Sequence, residues 1–189
     1  AVKLEDGSVH IEKYGKNTYA VMCPSYPSWQ QELLKLSKEI AAISSAVYHD
    51  QVSASRGILC FDKTHRHALN DPAVWLKGYR EIYHKIRKAL PGYPQVSEDM
   101  SEPYIGLFDG VHTWRGGFQG AVPAFQAIYG GRIQYFALVY DKIAKGDYEC
   151  NFAKMAYSLV NGIKNGRMEV QELFNADEKR LFFKKMALM

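Results

Sequence analysis

Cysteine is scarce in this sequence and never paired. Three occur among 189 residues, Cys23, Cys60 and Cys150, far apart and odd in number. That spacing matches neither a disulfide framework nor a zinc knuckle, so the three read as reduced core residues with no metal among them. No apolar run is long enough to cross a bilayer, and the first residues lack the pattern of a signal peptide. Charge of one sign is scarce as well, with a formal net charge of +4. The basic residues are scattered apart from His84-Lys85-Ile86-Arg87-Lys88, which reads as the solvated face of a helix. Without a stripe of Lys and Arg interleaved with aromatics, neither nucleic acid nor a membrane is an expected partner. No GxGxxG follows a strand, and the Gly-rich RGGFQG at 115–120 lacks the Lys and hydroxyl of a phosphate loop. No cofactor follows from the sequence.

What is present is a chain of 21.5 kDa with 47% apolar residues, enough to build the core of one domain over 1–189. It begins with Ala1 and stops at Met189 within ADEKRLFFKKMALM, where Leu181, Phe182 and Met186 share one face and nothing closes the helix. On this pattern the chain is expected to be a fragment of a longer protein. TYAVMC at 18–23 is a short apolar run. Ser28 opens a helix with Gln31 three positions on, a capping-box pattern, and Trp29, Leu33, Leu36, Ile40 and Ile43 form its apolar face. AVYHDQV at 46–52 reads as a strand and is followed by a long loop to Asn70. Asp71-Pro72 starts a helix that runs to about Leu90, burying Leu76, Tyr79, Ile82, Tyr83 and Ile86, and Pro91-Gly92 stops it.

YPQVSED at 93–99 is the next strand, Ser101-Glu102-Pro103 starts a brief helix, and DGVHTW at 109–114 is strand again. AVPAFQAIYG and RIQYFALVY read as extended or partly helical, and a last helix spans Tyr148 to Ile163, with Phe152, Met155, Leu159 and Ile163 on one face. Strands alternating with amphipathic helices predict an α/β protein with a parallel sheet. Polar residues collect at the C-terminal ends of the strands, the face of a parallel barrel where catalytic groups gather. Four or five units are visible where a barrel has eight. The expected fold is therefore the C-terminal part of a (β/α)8 TIM-type barrel, incomplete, with a doubly wound sheet as the alternative.

Asp50 and Glu98 end successive strands, so on a barrel both would face one cleft. Two carboxyls on one cleft are what glycoside hydrolysis needs, one ionised at the oxocarbenium-like centre and one protonated at the departing oxygen. The plainer reading has Asp50 capping a loop and Glu98 favoured by a helix N-terminus. Asp99 competes with Glu98 should the strand end one residue later, and Glu102 reads as a helix-dipole partner. Strand alternation turns His49 and Gln51 away from Asp50. In FDKTHRH, Asp62, His65 and His67 are of metal-ligand type, but no third ligand at short spacing is convincing and Arg66 opposes a cation, so contacts to sugar hydroxyls compete with a metal. Trp114, Phe118, Phe125 and Tyr129 cluster around the Gly-rich loop. Trp114 at a strand end is the aromatic best placed to stack on a sugar ring, whereas Trp29 and Trp75 read as helix packing.

Several blocks together resemble a known family: YAVMCPSYPSWQQEL, VYHDQV, CFDKTHRH, WLKGYREIYHKIR, SEDMSEPYIGLFDG and VPAFQAIYGG, in this order. They resemble a mostly bacterial, glycoside-hydrolase-like (β/α) barrel family described as a domain of unknown function, itself similar to endo-α-N-acetylgalactosaminidase-type retaining glycosidases. The resemblance runs from about Tyr19 to Met189. It implies a retaining glycosidase acting on an α-linked sugar, with the DQ of VYHDQV carrying the nucleophile to Asp50 and the SED block carrying the acid/base to Glu98. His65, His67 and Trp114 match positions lining the sugar subsite, and Gln126 is a further candidate contact. The chain departs from the family pattern at HRHALND, where a His-Gly-His with following glycines is more usual, and before VYHD, where a Gly-Asp-Gly-like turn is missing. The alternatives are a carbohydrate-binding barrel without hydrolysis and a fragment that is inert alone. The expected partner is a carbohydrate. The sugar, the compartment and the oligomeric state stay open.

Overall fold

In the computed structural model the described residues are 1–113, 122–137 and 148–164, with residues 181, 184, 185, 187 and 188. They form β1 (Ile11–Tyr14), β2 (Asn17–Ala20), α1 (Pro27–Ala41), β3 (Val47–His49), α2 (Ala73–Ala89), β4 (Gln95–Glu98), β5 (Gly110–His112), α3 (Ala124–Tyr129), β6 (Gln134–Phe136), α4 (Tyr148–Val160) and β7 (Ile163–Lys164). A 3-10 turn at Glu102–Tyr104 stands where a brief helix was expected. No helix among the described residues is long and apolar enough to cross a membrane. The chain divides into two compact units, residues 1–47 with 55–95, and residues 48–54 with 96–189.

The first unit holds the β1–β2 hairpin and the two long helices. Pro27 fixes the first turn of α1 behind an extended Tyr26, and no side-chain cap bond forms, so the Ser28–Gln31 capping box is not made. The expected apolar face is also rotated. Gln30 and Ser37 are the buried residues of α1, while Leu36 and Ile43 are exposed. The cause is polar: Gln30 donates to Pro24 O at 2.9 Å and to Glu81 of α2 at 3.2 Å, and Lys85 of α2 donates back to Gln30 at 2.6 Å. Pro72 holds the N-cap position of α2, and the amide of Ala73, its first residue, donates to Asp71 Oδ1 at 2.8 Å. Val74, Trp75, Gly78, Ile82, Tyr83 and Ile86 form its buried side. Gly78 is required there, because a Cβ would stand 2.5 Å from Pro24 C and 2.6 Å from Ser25 N. Val2, Cys23, Cys60, Val74 and Trp75 make the small core of this unit.

The sheet runs β3-β4-β5-β6-β7, in chain order throughout, and β4 to β7 pair in parallel. This is the α/β class with a five-stranded parallel sheet. The strands are shorter than the apolar runs that predict them. β3 stops at His49 because the backbone turns out of the sheet at Gln51, whose φ is 65°. β4 stops at Glu98, ahead of Asp99 at φ 60°, and β6 stops at Phe136, ahead of Ala137 at φ 59°. Each is a left-handed residue at the C-terminal end of a strand, a conformation no strand can continue. AVPAFQAIYG resolves as α3, and RIQYFALVY as β6 within its described part. On α4 Met155 is buried but Leu159 is exposed. Ile163 leaves the helix to start β7 after Gly162 turns at φ 64°.

Candidate active site

Side chains two apart on a strand share a face, and the register lines them up across the sheet. Glu98 pairs with His112, and His112 with Phe136. One step back, Val96 pairs with Gly110 and Gly110 with Gln134. A Cβ on Gly110 would meet Gln134 O at 3.1 Å and Val96 Cγ1 at 3.2 Å, so glycine relieves the crowding beneath the row of functional side chains. Tyr48 and Asp50 complete the wall of an open hollow of ≈ 570 Å³, lined by Tyr48, Asp50, Gln51, Glu98, His112, Phe136 and Ala137. All lie within the second unit, and the volume suits a small ligand such as a sugar.

Glu98 is 5% exposed, whereas Asp50 is open to solvent. The two carboxyl groups hydrogen-bond to each other. Burial raises the Glu98 pKa, and the bond to Asp50 and the Asp50 charge push it further in the same direction. The amide of Gln51 donates to Glu98 Oε2 at 3.2 Å and opposes this, but the net shift is upward. Glu98 is therefore the carboxyl of the two whose protonated form its surroundings favour. A second layer fixes this geometry. Ser97, on the opposite face of β4, donates to His49 O at 2.8 Å and accepts from Ser53 N at 3.4 Å. The hydroxyl of Ser53 donates to the backbone carbonyl of Glu98 and to that of Asp99. Two serines thus latch the 50–53 turn onto the end of β4. His112 approaches Tyr48 Oη with Nδ1 at 3.5 Å.

A family model described as a domain of unknown function, DUF6259, matches residues 1–140. The chain belongs to this family. A Monosiga brevicollis protein named as a glycoside hydrolase is 28% identical over 171 residues, which cover 85% of this chain and 14% of that protein. Among solved structures, the α-N-acetylgalactosaminidase NagBb of Bifidobacterium bifidum matches all of the chain with a TM-score of 0.70 at 16% identity, over 30% of its own length. The α-galactosidase TtGalA of Thermus thermophilus matches 98% of the chain at 0.63 and 10% identity, over 44% of its length. At such identities the likeness is one of fold. The chain spans less than half the length of each of these proteins.

The hollow brings together Asp50 and Glu98 but not His65, His67 or Gln126. His65 and His67 belong to the first unit, where they stand beside Cys23 and Cys60. Gln126 is buried on α3, its amide directed at Met100 Sδ at 3.3 Å. Trp114 and Phe118 lie outside the described residues. Asp99 Oδ1 accepts from the amide of Met100 at 2.9 Å, so that carboxylate is used by its own turn. Gln51 departs from the alternation argument: with φ 65° it is no longer a strand residue, and it lines the hollow instead of facing away. His49 does face away, packing on Phe108 with ring centroids 5.9 Å apart. Tyr48, His112 and Phe136 were missed. The signal was there, since His112 lies in DGVHTW, a run that reads as a strand.

Proposed function

We propose that this chain supplies the two catalytic carboxyls of a retaining glycoside hydrolase that cleaves an α-linked galactose-type sugar, on five strands of a (β/α) barrel. The observation that carries the reading is the meeting, in one hollow, of a buried Glu98 of raised pKa and an exposed Asp50. The strict chain order of the five strands supports barrel winding, since a doubly wound sheet reverses order at a switch point. The names of the DUF6259 chain's structural neighbours support the sugar class.

In this mechanism Glu98 gives its proton to the glycosidic oxygen as the bond to the anomeric carbon breaks. Asp50 attacks that carbon from the opposite face and forms a glycosyl ester. Glu98, now ionised, takes a proton from water, which displaces Asp50 and restores both groups. An inverting pair stands about 6.5–9.5 Å apart to admit a water, and a retaining pair about 5–5.5 Å. On the retaining reading, the Asp50 and Glu98 carboxyls stand about 5–5.5 Å apart around a bound sugar. His112 and Tyr48 would meet sugar hydroxyls, and Phe136 the apolar face of the ring.

The test uses aryl α-galactosides and aryl N-acetyl-α-galactosaminides, with the product anomer followed by NMR. The α-anomer should form first. Glu98→Gln should lower kcat by about 10²–10⁴-fold, with the smallest effect on the best leaving groups. Asp50→Asn should abolish turnover, and azide should restore part of it. Full activity in both variants, or first release of the β-anomer, would refute the assignment. Sugar binding without cleavage by the wild-type protein would favour a binding barrel.

A further inference from the structure

The first unit contains a second cluster of chemically capable side chains, whereas both carboxyls belong to the second unit. Cys23, Cys60, His65 and His67 direct one sulfur or ring nitrogen each toward a common point, all four atoms lying within 4.8 Å of one another. Cys23 Sγ is 3.4 Å from His67 Nε2, and Cys60 Sγ is 3.4 Å from His65 Nδ1. Cys23, Cys60 and His65 are buried, and His67 is half-buried. Both cysteines are free. We propose that Cys23, Cys60, His65 and His67 form a tetrahedral binding site for a zinc-class divalent cation, with a structural role.

Three features point to a cation rather than to a chance meeting of thiols and imidazoles. The first is distance. Bonds of about 2.3 Å to sulfur and 2.0–2.1 Å to nitrogen place tetrahedral ligand atoms roughly 3.3–3.8 Å apart, close to the two contacts observed. The second is the outer face of each imidazole. His65 presents Nε2 to Asp62 Oδ2 at 3.5 Å, and His67 Nδ1 donates to Ala68 O at 2.9 Å. With the outer nitrogens protonated, the inner ones hold lone pairs aimed at the sulfurs, which is how ligating histidines are oriented. Asp62 is itself fixed, by the hydroxyl and amide of Thr64 and by Lys3 Nζ at 3.0 Å. Tyr26 packs on the His65 ring with centroids 4.6 Å apart.

The third feature is what the site would hold. No helix or strand lies between His49 and Ala73, and a loop of that length in a compact fold needs an anchor. Cys60, His65 and His67 lie on this loop, whereas Cys23 lies in the turn before α1. A cation would clamp the loop to that turn, across a core of few residues. Two thiolates and two imidazoles select zinc among common divalent ions, and four protein ligands leave no position for a substrate water.

The experiment measures metal content of the purified chain after growth with zinc, then replaces the ion with Co²⁺. About one zinc per chain is expected, with thiolate-to-cobalt charge-transfer bands and strong tetrahedral d–d bands in the substituted protein. His67→Gln, at the half-buried corner, should keep the far-ultraviolet circular dichroism and lose zinc affinity at least about tenfold. Cys60→Ser should remove the charge-transfer intensity of one sulfur, and Asp62→Asn serves as a variant that leaves all four ligands in place yet weakens binding. A reconstituted wild-type chain without stoichiometric metal would overturn the proposal. So would a cobalt spectrum free of sulfur bands, or a native Cys23–Cys60 disulfide. None of these readouts depends on glycosidase activity.

Discussion

Gly78→Ala tests the packing that seats the Cys23 turn. In an ordinary helix interior this change favours folding by about 1 kcal/mol, because alanine restricts the unfolded chain and glycine does not. At Gly78 the new methyl would stand 2.5 Å from Pro24 C, 2.6 Å from Ser25 N and 2.6 Å from Ser25 Oγ. Two of these atoms are backbone, so no rotamer change clears them, and α2 or the 23–25 turn has to move by roughly 1 Å to restore ordinary contact distance. Overpacking of this kind costs about 1–3 kcal/mol. The same movement disturbs the bond from Ser25 Oγ to Val74 O, 2.7 Å long, which contributes about 1 kcal/mol. Setting about 2–4 kcal/mol of loss against about 1 of gain leaves a net destabilisation of about 1–3 kcal/mol. For a chain of this length each kcal/mol lowers Tm by roughly 2–4 °C, readable by circular dichroism or calorimetry. The Cys23 thiol, one residue from the displaced turn, should also react faster with a thiol reagent. A Tm equal to or above that of the wild type would show that α2 does not press on Pro24 and Ser25, and would refute the account of why position 78 is glycine.

Ser97→Ala removes the bonds to His49 O and from Ser53 N and should lower stability by about 1–3 kcal/mol, since it leaves a part-buried carbonyl without this donor and a buried amide without this acceptor. Urea unfolding with an unchanged slope would register this, and an unchanged midpoint would remove the latch from the argument. Glu98→Gln should change the pH dependence of stability. The folded-state pKa of Glu98 lies above its ordinary value of 4.5, so protonated Glu98 supports the fold fully below that value, and the support is lost as pH rises through the folded pKa. The glutamine variant lacks this loss and should gain in Tm relative to wild type from acid to neutral pH. A Tm difference that stays flat between about pH 4 and 8 would contradict the burial and charge coupling assigned to Glu98.

The α/β class and the placement of Asp50 and Glu98 at one hollow were legible because both follow from local pattern. β-branched runs alternating with amphipathic stretches give the strands and helices, and a strand's last polar residue gives the edge of a cleft. The orientation of α1 was not legible. Apolar spacing puts Leu36 and Ile43 inside, yet Gln30 and Ser37 are buried, because Gln30 finds Pro24 O, Glu81 and Lys85 as partners. A polar side chain that finds two of its three partners more than fifty positions away leaves no trace in a window of eighteen. The same holds for the left-handed residues that end β3, β4 and β6: Gln51, Asp99 and Ala137 carry no glycine-like signal. Two of the three are long or charged, so strand alternation carried past its true end and turned Gln51 the wrong way.

The cysteines show the same limit from the opposite side. Counted along the chain, Cys23 and Cys60 belong to no known spacing, and His65-Arg66-His67 is an isolated pair of ligand-type residues. Arg66 seemed to oppose a cation, but at φ 62° it is exposed and lies between two imidazoles that are both half-buried or more. A left-handed residue between His65 and His67 lets both rings reach one side of the loop, with centroids 5.7 Å apart, where an extended His-x-His would align them only along a strand face. Arg66→Gly therefore separates the two views of that residue. If its charge opposes a cation, zinc affinity should rise in both Arg66→Gly and Arg66→Gln. If its backbone conformation is what matters, glycine should keep or improve affinity at unchanged fold, and glutamine, which keeps a side chain at positive φ, should match the wild type. Equal gains in both variants would return the site to the electrostatic reading made from sequence.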